Sequence, residues 1–525
     1  MRLSTSQVFA SNVTGYQKGY TDIVKTQQQI SSGVRIQTPA DDPVGAARLL
    51  QLEQQKAELD QYSTNMTTAT NGLTQQNAVL DSVNNVLQRA RELTVQAGNG
   101  ALADEDRGAI ASELEQIQGQ LMNLVNSKDA NGQYLFAGSN SGTQPYTKNP
   151  DGTYSYNGDQ TTLDLQVASA TRLPVNDSGW SLFENIPNAS RTYSTLTEQP
   201  VAADEQQAFL SQGLVTDDTQ YDKQFRGGSP YTLELLSGTQ FRITDASGQD
   251  VTTEASGGNG TFDPTASDGT TIGFRGVQLK LDVALPEGEG SSVLGGYRFA
   301  FGTAPDEFAV TRNPSNTSSA QITGGSVADQ ATYSSSFPAN GVVVRFTDAS
   351  AYEVYTQPLK SGDAAIASGS LTTNPPILTI AGAQFSVSGT PASGDQFTLQ
   401  ADTRETQGIL ETLSTLTTAL QTPLSNETSS KLALRDAVAS AISNLDKGMN
   451  NVLATQASIG ARLNTIDTLT TENESLSITN ASTQSSIRDT DMAAATSKLL
   501  LQQTMLEAAQ ASFLKISQLS LFNKM

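Results

Sequence analysis

Apolar residues near the N-terminus recur in alternating steps of four and three, a spacing that predicts a coiled-coil seam along a helix. The residues of this first seam are Phe9, Val13, Tyr16, Tyr20, Ile23 and Ile30. The same spacing returns from Leu59 to Ala90 and, near the other end of the chain, from Val438 to Ile466. A last seam consists of Met492, Leu499, Leu506, Phe513 and Ile516. Both ends of the chain are therefore predicted to be helical.

A short break separates the first seam from the second. Gly33 suits the residue that follows a helix, because glycine adopts the left-handed conformation required there without strain. Asp42 is placed to cap the next helix, and Pro43 stands at its first position, where the missing N–H has no consequence. The acidic pair Asp41 and Asp42 also faces the positive end of that helix dipole. The sequence thus predicts a specified turn between two helices.

Four glutamines, Gln27, Gln76, Gln456 and Gln502, occupy seam positions where an apolar residue would stabilise more. A polar seam residue can fix the register and the number of partners at a cost in stability. Under this interpretation the terminal helices are marginal in the free monomer and complete their core between neighbouring subunits. In the alternative interpretation each glutamine lies at the edge of a loose bundle, where water solvates its amide.

The middle of the chain, roughly residues 140 to 400, is rich in Gly, Ser, Thr, Asp and Asn, with short alternating runs between turn signals. This pattern predicts antiparallel β structure. The predicted division is a helical core at 1–140, a β-hairpin extension at 141–195, a first β module at 196–313, a second at 314–400, and a C-terminal part of the core at 401–525.

The two β modules contain similar phrases. FRITDAS at Phe241 is similar to VRFTDAS at Val344, and GVQLKLDV at Gly276 to GAQFSVSG at Gly382. Either the second module repeats the first, or short strand phrases recur by chance in a Thr- and Gly-rich region. The segment from 200 to 400 is correspondingly one domain or two.

Composition removes several classes of function. None of the 525 residues is cysteine or histidine, so disulfides, thiolate sites and histidine-based catalysis are excluded. The net charge of −22 argues against binding to a phosphate backbone. No apolar run is long enough to span a bilayer, and the N-terminus lacks the apolar core of a cleaved secretory signal. We predict no catalysis, no metal site and no cofactor.

Three segments resemble the flagellin superfamily, and within it the branch of hook–filament junction proteins. SSGVRIQTPADDPVGAA, Ser31–Ala47, resembles the N-terminal motif of that superfamily, and the Pro43 that follows the two aspartates is typical of the junction branch. The C-terminal segment IRDTDMAAATSKLLLQQTMLEAAQASFLKISQLSLFNKM and the phrase YLFAGSNSGTQPY at Tyr134 are also similar. The resemblance covers about residues 1 to 150 and 485 to 525.

The resemblance implies an elongated α+β protein whose N- and C-terminal helices form a coiled-coil bundle core with inserted antiparallel β domains. It implies a structural subunit of the junction ring between hook and filament, on which flagellin assembles and which swimming requires. The implied partners are identical subunits, the hook-side junction protein, flagellin and an export chaperone. Neither nucleic acid nor membrane insertion is implied. The implied location is the extracellular flagellum, reached by type III export without a cleaved signal peptide.

Two alternatives remain. The first is a filament flagellin, which shares the terminal motifs. The second, from a different class, is a glycan-binding or adhesive β-domain protein on a helical stalk. That function requires an aromatic platform, and the chain contains a single tryptophan.

Overall fold

The computed structural model describes residues 5–522 apart from 150–151, 201–204, 287, 314, 339–340, 361, 372–375, 403–404 and 425–427. The chain divides into two compact units. Unit 1 comprises Met1–Thr74, Leu163–Val175 and Ser458–Met525, and unit 2 comprises Gln75–Thr162 and Asn176–Ala457.

Long helices occupy both ends of the chain, where the sequence has heptad seams. The helices are α1 (Thr5–Ser32), α2 (Pro43–Ala97), α3 (Asp104–Val125), α4 (Asp218–Gln220), α5 (Arg226–Gly228), α6 (Gln330–Ser336), α7 (Ile409–Gln421), α8 (Thr428–Arg488) and α9 (Met492–Phe522). Between α3 and α7 the regular structure consists mainly of strands, joined by turns and irregular segments. The expected fold class, α+β with helical ends and inserted antiparallel β structure, is confirmed.

The strands form antiparallel sheets between the helical ends. They are β1 (Tyr146–Lys148), β2 (Tyr154–Tyr156), β3 (Asp164–Gln166), β4 (Arg172–Pro174), β5 (Thr192–Glu198), β6 (Ala208–Leu210), β7 (Leu214–Val215), β8 (Tyr231–Leu235), β9 (Phe241–Thr244), β10 (Thr270–Phe274), β11 (Val277–Val283), β12 (Arg298–Thr303), β13 (Glu307–Arg312), β14 (Gln321–Val327), β15 (Val342–Phe346), β16 (Ala351–Thr356), β17 (Ala367–Ser370), β18 (Ile377–Ile380), β19 (Ala383–Ser388) and β20 (Gln396–Asp402).

In unit 1 the first half of α2 packs beside the second half of α8. The α2 seam residues Leu59, Met66 and Leu73 are buried, as the heptad spacing predicts. Two buried asparagines of α8 also face α2: the Asn473 side chain donates to the carbonyl of Leu59 at 3.0 Å, and that of Asn480 to the carbonyl of Leu52 at 3.0 Å. Because a buried amide is stable only with partners, these two bonds favour one register between the helices.

In unit 2, apart from the hairpin of β1 and β2, the strands form two groups, each with its own apolar core. The first strand group, β5 to β12, has one sheet in the order β5-β12-β8-β9 and another in the order β10-β11-β6, where β7 also pairs with β11. The second strand group, β13 to β20, has sheets in the order β13-β20-β15-β16-β17 and β14-β19-β18. Apart from the added edge strand β17, the two groups share one strand order.

A tight turn recurs at the same place in both groups. Gly276, before β11, has φ of +85°, and Gly382, before β19, has φ of +83°. A Cβ at Gly276 would lie 2.6 Å from the carbonyl oxygen of Asp217, and a Cβ at Gly382 would lie 2.5 Å from that of Asp329. The same backbone conformation and the same close approach therefore require glycine at both turns.

The strand register identifies a longer repeat that the short phrases did not show. AFLSQGLVTDDTQYDKQF, residues 208–225, aligns with AQITGGSVADQATYSSSF, residues 320–337. The identical pairs are Ala208 and Ala320, Gly213 and Gly325, Val215 and Val327, Asp217 and Asp329, Tyr221 and Tyr333, and Phe225 and Phe337. The shared topology and these identities support an internal duplication.

One of the two phrase pairs noted in the sequence does not match equivalent strands. GVQLKLDV and GAQFSVSG coincide with β11 and β19, which occupy the same place in the two groups. FRIT, however, is β9, whereas VRF ends β15, the counterpart of β8. The similarity of FRITDAS and VRFTDAS therefore reflects like turns in different hairpins.

The sheet pairing differs from the predicted module boundaries in three places. β13 pairs with β20, so residues 307–312 lie in the second strand group, although the predicted first module extended to residue 313. The predicted boundaries at 195/196 and 400/401 fall inside β5 and β20. Pairing between strands that are distant in sequence, such as β13 with β20, sets these limits, and composition alone does not predict such pairing.

A partly buried carboxyl group lies where a helical turn at Trp180–Glu184 meets the N-terminus of α7. Glu184 contacts Gly408, the residue that precedes α7. Burial raises the pKa of Glu184 to about 7, and the Glu411 carboxylate adds to this effect, while a hydrogen bond from the Tyr146 hydroxyl opposes it. Among the described residues no cation forms an ion pair with Glu184. The ionised form is therefore disfavoured in the folded chain.

Glu184→Gln is expected to stabilise unit 2 at pH 8 and to change little at pH 4.5. Because the folded carboxyl has the higher pKa, the native state holds a proton that the unfolded state has lost, and wild-type stability falls as the pH rises from about 4.5 to 7. Removing this ionisation should raise the free energy of unfolding at pH 8 by about 2 kcal/mol. Thermal melts at both pH values measure this change in stability, and Glu58→Gln, at an exposed position, is the control. A wild-type stability that does not change with pH would contradict this account.

Candidate functional site

The first and last helices of the chain, α1 and α9, pack together within unit 1. The Tyr16 hydroxyl donates a hydrogen bond to the carbonyl of Ala509, and its ring meets that of Phe513 edge-on with 5.5 Å between centroids. Farther along, the Thr26 hydroxyl donates to Oε1 of Gln502 at 2.9 Å. The helix pair thus combines aromatic packing with hydrogen bonds between side chains that are hundreds of residues apart in sequence.

The predicted seam residues occupy three kinds of environment in this pair. Ile23 is buried, and the half-buried residues are Val13, Tyr16, Ile30, Leu499, Leu506 and Phe513. Tyr20 and Met492 are exposed, at 64% and 49%. The side chains of Phe9 and Ile516 lie outside the described residues. Gly19, instead of Tyr20, faces α9: a Cβ built there would lie 3.7 Å from Cδ1 of Leu506.

Tyr20 lies off the contact because residues 19 and 20 are on opposite sides of the line from Tyr16 to Ile23, about 100° apart around the helix, and the buried side of α1 is the one that carries Gly19. Tyr16, Gly19 and Ile23 therefore follow one face of α1. A glycine at the centre of that face allows the Leu506 side chain to approach the α1 backbone.

The four seam glutamines differ in burial. Gln27 is exposed, which fits a solvated amide. Gln76 is buried, and its Nε2 donates to the carbonyl of Asp177 at 3.4 Å. Gln456 donates to Oδ1 of Asp81 at 2.6 Å, and Gln502 accepts from Thr26. Three of these amides therefore take part in specific hydrogen bonds instead of remaining wetted at an edge.

A second side of α9 is apolar and exposed. Leu500, Leu501 and Met505 are 60%, 60% and 63% exposed, while Leu499 and Leu506 of the same turns are half-buried. A helix that is apolar on more than one side is typically buried on more than one side. Contiguous exposed apolar residues of this kind mark interaction surfaces. The α9 outer face, defined as Leu500, Leu501 and Met505, is the surface in this helix pair suited to a further protein partner.

The break between α1 and α2 packs against the link between α8 and α9. Gly33 has φ of +70°, and its carbonyl accepts from the amide of Thr490 at 2.9 Å. The Arg35 amide donates to the carbonyl of Arg488 at 2.6 Å, and its guanidinium donates to the carbonyl of Ile487 at 2.6 Å through Nη2. Two helix ends and two helix starts therefore meet at one place.

Both aspartates of the break have structural partners. Asp42 caps α2: its Oδ1 accepts from the amide of Gly45 at 2.9 Å, and this bond is the main reason that its pKa is lowered. Asp41 pairs with Lys25 at 2.5 Å and accepts from the amide of Thr38. The hydrogen bond with Lys25 contributes most to lowering the pKa of Asp41, to about 2. These contacts fix the path of the chain from α1 to α2, which begins at Pro43.

The contacts that the link between α8 and α9 makes in this junction were not predicted from the sequence. Arg35, Ile487, Arg488 and Thr490 carry the contact, and none of them lies on a heptad seam. One signal was present: Asp491 precedes α9, and its Oδ1 accepts from the amide of Ala494 at 3.0 Å, as an N-cap does.

Two other kinds of site are absent from the part of the chain that the structure describes. No cluster of three or more acidic side chains there could hold a metal ion. In the same residues, no helix is both long and apolar enough to cross a membrane.

Known structures similar to the chain include two from the flagellum. They are the Legionella pneumophila flagellar hook-associated protein-3 (20% identity, TM-score 0.47, covering 83% of this chain and 98% of that one) and Xanthomonas campestris FlgL (22% identity, TM-score 0.41, covering 83% and 99%).

The N-terminal part of the chain is similar in sequence to known flagellar proteins. Residues 3–141 match the bacterial flagellin N-terminal helical region. Over 186 residues the chain is 36% identical to flagellar hook-associated protein 3 of Salmonella typhimurium and 32% identical to that of Escherichia coli. Each match covers 35% of this chain and 58% of the relative. Residues 3–141 are thus similar to the flagellin N-terminal helical region, in a chain that is similar to hook-associated proteins of the bacterial flagellum.

Proposed function

We propose that this chain is a structural subunit of the bacterial flagellum that forms the junction ring between hook and filament, on which flagellin assembles. The exposed apolar side of α9 carries the proposal. Leu500, Leu501 and Met505 are apolar residues held on a well-formed helix and left at least 60% exposed. They lie beside α1, which is part of the region that matches flagellins.

Assembly would bury this face. Covering an exposed leucine or methionine side chain contributes about 1.5–3 kcal/mol, so the three residues together supply several kcal/mol for each contact between subunits. Among the residues of α9 whose side chains the structure describes, Leu499, Leu506 and Phe513 are packed, and they lie on one side of the helix. We therefore expect α9 to be the least stable helix of the monomer and to become fully ordered on assembly.

The partners of the ring follow from this role. Identical subunits form the ring, the hook-side junction protein lies beneath it, flagellin adds above it, and an export chaperone accompanies the chain before secretion. The location is the extracellular flagellum. The role is structural and not catalytic. The names of the relatives, flagellar hook-associated protein 3, support the position at the hook.

Filament flagellin is the second candidate and is less well supported. Two hook-associated proteins match over 186 residues at 36% and 32% identity. The Borreliella burgdorferi filament core protein matches over 134 residues at 33% identity. Pro43 after the two aspartates also favours the junction branch.

Deletion of the gene tests the proposal. The deleted strain should not swim, should retain hooks without filaments, and should release flagellin into the medium, because flagellin has no ring on which to assemble. Restoring the gene should restore filaments, and antibody labelling should give one band between hook and filament. Swimming by the deleted strain, or label along the whole filament, would contradict the junction role.

A further inference from the structure

The two strand groups have the same topology but differ in what covers one sheet. In the first strand group, the outer side of β6, β7 and β11 packs against α8. Asp282 of β11 accepts two hydrogen bonds from Arg435 at 2.9 and 2.7 Å, and the Gln212 amide donates to Oδ2 of Asp436 at 3.0 Å. Lys280 borders the same contact, across a cavity of about 260 Å³. Charged side chains hold this sheet on the helix.

The strand register identifies the counterparts of these residues in the second strand group. Gln212, which uses its backbone amide, corresponds to Gly324, whereas Lys280 is replaced by Ser386 and Asp282 by Ser388. Whereas Asp282 is 8% exposed, Ser388 is exposed, and so is Ser386. The side that α8 covers in the first group is therefore open in the second, and it has lost its charges.

The open side of the second group carries no charge at any described outward position. We define it as the neutral sheet face, formed by Gln321, Ser326, Thr379, Gln384, Ser386 and Ser388, all of which are exposed. The whole chain has 53 acidic and 31 basic residues and a net charge of −22. Like-charged copies of such a chain repel one another, so they meet most favourably through surfaces without acidic side chains.

We propose that the neutral sheet face is a contact surface for a second copy of this chain. The proposal rests on the proposed ring, which brings copies side by side. The duplicated sheet in the first group shows that this side of the fold packs against protein. Hydroxyl and amide side chains both donate and accept hydrogen bonds, so their pairing with another uncharged polar surface leaves no buried charge.

The absence of cysteine from the sequence makes a direct test possible. Ser386→Cys and, separately, Gln384→Cys each introduce one thiol on the neutral sheet face. Ser368→Cys, on the exposed β17 of the other sheet, is the matched control, and Thr504→Cys on α9 reports assembly itself. The rate of maleimide labelling is measured for the full-length monomer and for the chain assembled on isolated hooks without flagellin.

Assembly should slow labelling at Ser386→Cys and Gln384→Cys at least about tenfold, while labelling at Ser368→Cys changes less than about twofold. A benzophenone attached at position 386 should yield, on illumination of the assembled rings, a covalent dimer of the chain. Protection at Thr504→Cys without protection at Ser386→Cys would overturn this inference and leave the proposed ring intact. Protection at neither site would overturn both. A cross-link to the hook-side protein in place of a dimer would also overturn it, because the occupant would be a different protein.

Discussion

Leu501→Arg is expected to abolish swimming while leaving the melting temperature of the monomer unchanged. Leu501 is 60% exposed in the monomer, so an arginine there extends into water. In an assembled ring the same guanidinium would be buried without a partner, which costs several kcal/mol per copy. The measurements are motility, filament length by electron microscopy, flagellin released into the medium, and thermal melting of the purified chain.

Two further substitutions on α9 separate assembly from folding. Gln503→Arg places the same charge on an exposed polar position of the same helix, and it should leave swimming intact. Leu506→Arg changes a residue that faces Gly19 of α1, so it should disturb both the helix pair and assembly. If Leu501→Arg cells swim normally, the α9 outer face is not an assembly surface. If the Leu501→Arg monomer loses its helical structure, the face belongs to the monomer core.

Gly276→Val should lower the free energy of unfolding of the first strand group by about 3–4 kcal/mol, and Gly382→Val should do the same in the second. Each glycine has positive φ, a conformation that strains a β-branched residue. Neither position has space for a side chain. A Cβ at Gly276 would lie 2.8 Å from the amide nitrogen of Tyr221, and a Cβ at Gly382 would lie 2.6 Å from that of Tyr333. Urea unfolding followed by far-ultraviolet circular dichroism gives the change.

Two other glycines allow the effect of backbone strain to be measured without the effect of steric crowding. Gly248 in the first group has φ of +83° and Gly394 in the second has φ of +92°, and a Cβ at either would have no neighbour within 4 Å. Valine at these positions should cost about 1–2 kcal/mol, from backbone strain alone. If the matched turn and control variants lose the same stability, the turns at Gly276 and Gly382 are not packed as described, and the argument for duplication is weakened.

Local patterns in the sequence were sufficient to predict the long helices and the break between the first two. The heptad positions Leu59, Met66 and Leu73 are buried because a seam needs only the spacing of apolar residues within one helix. The break is equally local, since Asp42 bonds to Gly45 only three residues away. Such features depend on neighbours in the chain and can be predicted without the fold.

Features that depend on distant partners were not predictable in the same way. The contact of α1 with α9 passes through Gly19 and not Tyr20, because both positions fit a heptad step from Tyr16 and only the position of α9 decides between them. The duplication was visible at residues 208–225 and 320–337, but its identical residues are spread among substitutions. The short segments FRITDAS and VRFTDAS are more similar to the eye, but they belong to different hairpins. Strand register, which only the fold provides, identified the correct alignment.

The junction of Arg35 with Arg488 also has a consequence for the order of folding. The two residues share a backbone hydrogen bond, yet 452 positions separate Arg35 from its other partner, Ile487. The entropy lost in closing a loop increases with its length, and contacts between distant positions form slowly. The strand groups can form within shorter segments, whereas the helix that packs along α1 is α9, at the other end of the chain. We therefore expect the β region to reach its native structure first, and the closing of the two chain ends to be the slowest step in refolding.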